Sequence, residues 1–357
     1  MLTEIRSWVN KRPACVFYSV AAQEDNLGDI AIRLRMLNWL KESSDTVIVY
    51  TGAMSEDYLQ PFRFEDRIDT VGSKPQAILR LFRSLIRYRV FLVFPPGPSA
   101  FGTARNSIRS LGTIIASLVL TLGGGGVLQV GAAYRGEGLV SRKLHELKTT
   151  LFRLCVVRDS KSFASKRSII APDLAFEDWE TAEKPARTRL SVSLRNDYRV
   201  DEEVLERYKS ISENNGWRLT FVTQVQRDDV RHRELALKYD ADVVSWQNSH
   251  GAQFERVKTA YAESVAVLSD RLHGLIFSSN MGALPIALLH AGNNKLTSTF
   301  DAVVELPGVE SGSGVISCSV VEAIHKHSQN PEPRMNALNE SHKKLMELRR
   351  LVLDALR

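Results

Sequence analysis

Six consecutive residues, Ser269-Asp270-Arg271-Leu272-His273-Gly274, carry the densest chemistry in the chain. They follow the apolar run Val265–Leu268 and lead into a helical pattern, so they occupy a strand-to-helix turn in which Arg271 and His273 stand in the first helical turn. In an open parallel sheet, ligands bind beyond the carboxyl ends of the strands, where the next helix presents unsatisfied N–H groups and the positive end of its dipole. A guanidinium fork and a titratable imidazole at that place suit a phosphate or carboxylate. A cation at a helix N-terminus is disfavoured by roughly 0.3–1 kcal/mol, so some anion must offset Arg271. The plain alternative is that Arg271 pairs with Asp270 and His273 only packs.

Other candidates stand at equivalent turns. Arg195 follows the strand pattern Arg189–Leu194 and is expected to face the same anion, although it could equally be a loop arginine. Asn26-Leu27-Gly28-Asp29 follows the first strand pattern; Gly28 permits close backbone approach, and Asp29 suits a helix start. Asp159, in Val157-Arg158-Asp159, and Asp173, in Pro172-Asp173-Leu174-Ala175-Phe176, fall beyond strands late in the first half, as site residues or as caps and turns. Gly123–Gly126 runs from helix to strand, the reverse of a dinucleotide fingerprint. No HExxH or comparable histidine spacing occurs, and the three cysteines, Cys15, Cys155 and Cys318, form no CxxC pair, so neither a metal, a nucleotide cofactor nor a disulfide framework is expected.

The elements that position these residues alternate between short apolar runs and helical patterns throughout, which is the signature of α/β with parallel sheets. Ala14–Val20, Thr46–Tyr50, Val90–Phe94, Val127–Ala132 and Leu154–Arg158 are expected strands, with helices at Leu27–Leu40, Gln76–Tyr88, Ser107–Leu122 and Leu139–Phe152. After the polar, acidic segment 175–188 the pattern restarts at Arg189–Leu194. Two doubly wound domains are therefore expected, at residues 1–178 and 188–332, with a C-terminal helix in 333–357 packing back across both. The length of 357 residues accommodates two cores, and 44% hydrophobic with 25% charged residues excludes a disordered or multispanning chain. The N-terminus lacks a secretory pattern, and the apolar run Leu111–Val130 is interrupted by glycines, so a cytoplasmic protein is expected.

Charge is local. From Thr70 to Gly136 there are eight bases, Lys74, Arg80, Arg83, Arg87, Arg89, Arg105, Arg109 and Arg135, and no acid. That stretch is either a solvated surface or an attraction for phosphate-bearing substrates or an anionic membrane face. Nucleic acid is not expected, because no recognised module accompanies the charge.

The ordered set Asn26–Asp29, Val157–Asp159 with Ser162, Pro172–Phe176, Val192–Arg195, Ser269–Gly274 and Gly282–Pro285 resembles the polysaccharide pyruvyl transferases. Two segments depart from the family pattern, Phe94–Ser99 and Gly131–Tyr134, both in the first domain. The resemblance implies two Rossmann-like domains facing a cleft, similar to GT-B glycosyltransferases. Phosphoenolpyruvate would be the donor on the second domain, and a saccharide acceptor, free or lipid-linked, would lie on the first. It implies a pyruvate ketal on two hydroxyls of one sugar, with no metal and no cofactor beyond the donor. Within it, His273 is the expected acid or phosphate partner, and Asp29 and Asp173 are weaker candidates for the base. Arg195, Arg271, Leu272, Gly274, Asn26, Gly28 and Asp159 are expected to bind substrate. The competing expectations are a nucleotide-sugar glycosyltransferase of the same architecture and a catalytically silent phosphate- or sugar-binding protein.

Overall fold

A computed structural model describes residues 11–64, 68–176, 185–247, 249–291 and 295–357. The chain divides into two compact units. The first comprises residues 1–24, 29–174 and 344–357, and the second residues 25–28 and 175–343. The expected domain end at residue 178 lies outside the described residues. Two details differ from the expected boundaries. Asp25–Gly28 groups with the second unit, and the C-terminal helix is shared, its residues through Lys343 going with the second unit and the rest with the first.

The first unit is built on β1 (Ala14–Ser19), β2 (Thr46–Tyr50), β3 (Ile68–Val71), β4 (Arg89–Phe94), β5 (Gly97–Phe101), β6 (Gly126–Gly136), β7 (Leu154–Val157) and β8 (Ile169–Ile170). Its sheet runs β3-β2-β1-β4-β6-β7-β8, with β5 paired to the distal half of β6, and every pairing is parallel. Its helices are α1 (Leu27–Ser43), α2 (Glu56–Leu59), α3 (Lys74–Arg87), α4 (Ala104–Leu122) and α5 (Leu139–Thr150). β5 begins within Phe94–Ser99, the segment that departs from the family pattern, and the sequence reading expects no strand there. Its proline disguises it, and its place beside β6 alone lets Pro98 lie in a strand without breaking a central ladder.

The second unit contains β9 (Arg189–Ser193), β10 (Arg218–Val222), β11 (Asp242–Val244), β12 (Ser264–Ser269), β13 (Leu284–Leu289) and β14 (Gly308–Glu310) in the order β11-β10-β9-β12-β13-β14. Its helices are α6 (Glu202–Asn214), α7 (Asp229–Tyr239), α8 (His250–Ala262), α9 (Leu272–Asn280), α10 (Lys295–Phe300) and α11 (Cys318–Gln329), and α12 (Glu332–Leu356) follows. This is the doubly wound order whose direction reverses between the first and fourth strands, here β9 and β12. Leu190, Val192, Phe221, Ala266, Leu268 and Ile286 fill its core. β12 is buried along its whole length and carries the apolar run Val265–Leu268, which made it legible, whereas β9 buries Ser191 and Ser193 beside Leu190 and Val192.

Among the described residues no helix is long and apolar enough to cross a membrane.

Candidate functional site

In the second unit, the reversal between β9 and β12 brings Arg195, Asp270 and Arg271 together. The Arg195 N–H donates to Asp270 Oδ1 at 2.8 Å, which ties the turn after β9 to the turn after β12. Asp270 Oδ2 lies 3.1 Å from His290 Nε2, and His290 Nδ1 lies 2.8 Å from Ser311 Oγ. A carboxylate only accepts, so Nε2 donates to Asp270 while Nδ1 hydrogen-bonds the serine hydroxyl. With both ring nitrogens engaged and the ring stacked on Tyr198 at 4.3 Å, His290 is a wall of the site and holds Asp270.

Arg271 does not pair with Asp270. Its Nε and Nη2 donate to Asp228 Oδ2 and Oδ1 at 2.8 and 2.6 Å. Asp228 enters on the 3₁₀ turn after β10 and is fully buried, and burial raises its pKa more than the arginine lowers it. This carboxylate is the anion that the α9 N-terminus requires: it offsets Arg271 against the helix dipole and holds the guanidinium in a bidentate grip. Arg195 is similarly held but more open, donating from Nε and Nη2 to Asp197 at 2.8 and 2.6 Å. The arginine pulls the Asp197 pKa down to about 2.

α9 itself has no side-chain cap. Its first turn therefore presents N–H groups with no intrahelical acceptor at the carboxyl edge of the sheet. Leu272, the first residue, buries its side chain there. Gly274 keeps this turn close: a Cβ would stand 2.9 Å from Ser269 Oγ and 3.1 Å from Gln224 Oε1 and would force those side chains to shift. That Gln224 oxygen is buried and has no hydrogen-bond partner among the described residues, so it adds an acceptor beside the helix start that sequence reading missed.

The Asn26–Gly28 segment reaches this place. Leu27 N–H donates to the Gln224 carbonyl, Gln226 N–H donates to the Asp25 carbonyl, and Arg227 clasps Asp25 at 2.6 and 2.7 Å. Asn26 Oδ1 accepts from the Gly28 N–H at 3.0 Å, closing the turn. A Cβ on Gly28 would lie 2.0 Å from His273 Nδ1, so only glycine lets the imidazole sit against that backbone. The His273 ring is half-buried and stacked over Phe277 at 6.1 Å. Two motifs almost 250 residues apart in sequence thus form one contact, which spacing alone could not reveal.

The remaining candidates belong to the first unit. Asp29 lies in the first turn of α1 and its Oδ1 accepts from Arg33 at 3.2 Å. Asp173 forms a buried ion pair with Arg158, Oδ2 to Nη1 at 2.6 Å, with side chains 2% and 1% exposed. That geometry gives Asp173 the work of a counter-charge, and a carboxylate so placed is a poor solvent-facing base. Asp159 Oδ1 accepts from Arg135 Nη2 at 2.9 Å and from Ser162 Oγ at 3.1 Å. Sequence reading also missed a polar hollow of about 400 Å3 lined by Asn106, Arg109, Ser110 and Thr113 of α4, Gln129 of β6 and Lys148 of α5. Burial pushes the Lys148 pKa down to about 8. Among the described residues no group of three or more His, Cys, Asp or Glu is placed to hold a metal ion.

The family profile described as polysaccharide pyruvyl transferase matches residues 26–290, a span that begins at Asn26 and ends at His290. The chain belongs to the polysaccharide pyruvyl transferase family. Membership makes it a transferase of polysaccharide biosynthesis, and a saccharide acceptor is consistent with that family. No protein of curated function matches the sequence. Among solved structures, this pyruvyl transferase family member is similar to the UDP-GlcNAc 2-epimerase of Neisseria meningitidis bound to UDP-GlcNAc, with TM-score 0.53 and 12% identity over 94% of this chain and 99% of that one. It is also similar to the glycosyltransferase of kitacinnamycin, with TM-score 0.55 and 10% identity over 98% and 100%. Arabidopsis thaliana UGT89C1 complexed with UDP-L-rhamnose gives TM-score 0.52 and 12% identity over 94% of each chain. Likeness at such identity establishes the fold, two Rossmann-like units of GT-B type.

Proposed function

We propose that the protein transfers the pyruvyl group of phosphoenolpyruvate to two hydroxyls of one sugar, in a cell-surface polysaccharide or its lipid-linked precursor, at the inner face of the membrane. The observation that carries this reading is the seating of His273 against Gly28 at the uncapped start of α9, beside Arg195 and Arg271, in a member of this family. A donor carrying both a carboxylate and a phosphate finds complementary groups there. The helix start supplies N–H donors, Arg195 is a partly exposed cation, and Arg271 is held in place by Asp228.

The chemistry runs as proton transfer and addition. Protonation of the enol methylene carbon generates an oxocarbenium-like centre; a sugar hydroxyl adds to it and loses its proton. Inorganic phosphate then departs, a second hydroxyl closes the ketal and loses its proton, and no further cofactor is consumed. His273 is the acid or the partner of the leaving phosphate. The base is sought at Asp29 rather than Asp173, whose carboxylate is committed to Arg158. The acceptor saccharide is assigned to the polar hollow of the first unit, whose amide and hydroxyl groups suit sugar hydroxyls.

Thermal melts with phosphoenolpyruvate and with UDP-sugars test the donor. Phosphoenolpyruvate at about 100 times its dissociation constant should add roughly 2.7 kcal/mol, with phosphate released when an acceptor panel is supplied. Stabilisation by UDP-sugars alone, with nucleotide release, would sink the reading in favour of a glycosyltransferase. Binding of phosphoenolpyruvate without turnover on any acceptor would indicate a silent binding protein.

A further inference from the structure

Helix α4 is built inside out. Asn106, Ser110, Thr113 and Ser117 recur at four- and three-residue spacing along its inner side, where Ser110 and Ser117 are buried. Ile108, Leu111, Ile115, Leu118, Val119 and Leu122 recur at the same spacing along its outer side, all exposed, with Leu122 84% exposed. A helix on the surface of a water-soluble unit normally shows the reverse arrangement. α3 shares the feature. Ala77, Leu81 and Leu85 pack on the first unit's core, which also takes Leu120 of α4, while Ile78, Leu79, Phe82 and Ile86 are exposed. The crossovers β3 to β4 and β4 to β6 step in the same direction along the sheet, and right-handed connections set both helices on one face. Thirteen of the twenty-one large hydrophobic side chains exposed among the described residues lie on α3, α4 and α5, so this is one concentrated surface and not scattered single residues.

The charge beside it has one sign. Of the eight bases between Thr70 and Gly136, Arg89 bonds to the Arg12 carbonyl and Arg135 to Asp159. The other six, Lys74, Arg80, Arg83, Arg87, Arg105 and Arg109, are exposed on α3 and α4. Arg80, Arg83 and Arg87 form a stripe along α3 next to its apolar stripe. Among the described residues, Arg80 alone of these three meets an acid in an ion pair, Asp69 at 3.5 Å.

We infer that the outer faces of α3 and α4 dock in the plane of an anionic lipid bilayer, with their aliphatic side chains in the headgroup–acyl boundary and their bases against lipid phosphates. In-plane docking is the geometry open to them, since neither helix is long and apolar enough to span. A bilayer is favoured over a second copy of the chain because two copies meeting on this face would oppose six bases with six bases. The inference deepens the acceptor side of the proposed function by giving a lipid-linked saccharide a surface on which to be met. It stands on exposure and charge alone and is independent of the donor chemistry.

Co-sedimentation of the full chain with vesicles tests it, using phosphatidylcholine alone and phosphatidylcholine mixed with phosphatidylglycerol. The protein should partition onto the anionic vesicles at low salt and release at high salt. Arg83→Gln with Arg87→Gln should weaken partition about 25-fold, at about fivefold per base near the surface. Ile115→Asp with Leu118→Asp should weaken it roughly tenfold or more. Leu237→Asp, at a residue of the second unit that is 85% exposed, should leave it unchanged. All of these positions are exposed, so melting temperatures should match the parent, and phosphate release on a soluble acceptor should persist, which separates failure of docking from failure of the pyruvyl reading. Equal partition onto neutral vesicles, no partition, or partition indifferent to the paired substitutions would overturn the inference. So would a dimer in sedimentation that Ile115→Asp with Leu118→Asp splits while vesicles remain unbound, since the face would then belong to a second copy.

Discussion

Around the same 3-2-1-4 progression of parallel strands, the two units arrange charge in opposite ways. At the carboxyl edge of the second, cations are clasped by carboxylates: Arg271 by Asp228, Arg195 by Asp197 and Arg227 by Asp25. On the helical face of the first, six bases stand in solvent beside outward-pointing aliphatic side chains. A clasped guanidinium keeps one orientation and suits a site where a small donor must be held in register, whereas an unclasped row attracts an extended anionic surface without specifying its geometry. The contrast teaches that a basic composition has no single meaning: a net charge of +6 includes fixed pairs at one edge and an open face elsewhere.

The largest expected effect tests whether the second unit's edge is the chemical one. His273→Ala should lower kcat by roughly 10²- to 10⁴-fold while phosphoenolpyruvate affinity stays within a few fold, as removal of a general acid does. Calorimetry beside steady-state kinetics reads both numbers. A variant with normal kcat and weakened donor binding would make His273 a binding residue and send the search for the acid to Asp29 and Asp159.

Next in size is the clasp itself. Because Arg271 neutralises a buried carboxylate, Arg271→Ala should raise KM for phosphoenolpyruvate and also destabilise the protein by about 3–5 kcal/mol, the cost of stranding one partner of a buried pair. Arg271→Met combined with Asp228→Leu should cost less stability than the two single changes summed, and urea denaturation of the full cycle measures this. Additive costs would mean that the clasp is not a unit. In that case the contrast with the open bases of the first unit would lose its physical basis.

The smallest effect is one on which the two units should agree. Burial pushes His232 of the second unit down to about 4 and His145 of the first down to about 3. His232 Nε2 accepts from the Leu194 N–H at 2.9 Å, which holds it neutral, and His145 is packed against Phe101 and Tyr134. The unfolded chain binds these protons near pH 6.5 and the folded chain does not, so the unfolded state binds more protons below that point. The contribution is therefore complete above pH 6.5 and is lost as pH falls toward 4, at about 3 kcal/mol for His232. His232→Gln should flatten the fall in urea midpoint between pH 6.5 and 4. A midpoint with unchanged slope would show that this imidazole is not the proton acceptor.

The sequence by itself determined the α/β class, the paired doubly wound units, most core strands and the placing of Arg195, Arg271 and His273 after strands. Those properties rest on periodicity and on local turn chemistry, which adjacent residues encode. β3, β5, β8 and β14 escaped because β5 carries a proline and the others have four residues or fewer, too short to show a period. The tertiary structure alone decided the partners. Asp228, not the neighbouring Asp270, takes Arg271; Asp173 serves Arg158; and Gly28 makes room for His273. It also decided which side of α4 faces water. The serine and threonine stripe and the aliphatic stripe of that helix have the same period, so spacing cannot say which is inside. That choice is made by the sheet it packs on, through contacts between residues distant in the chain.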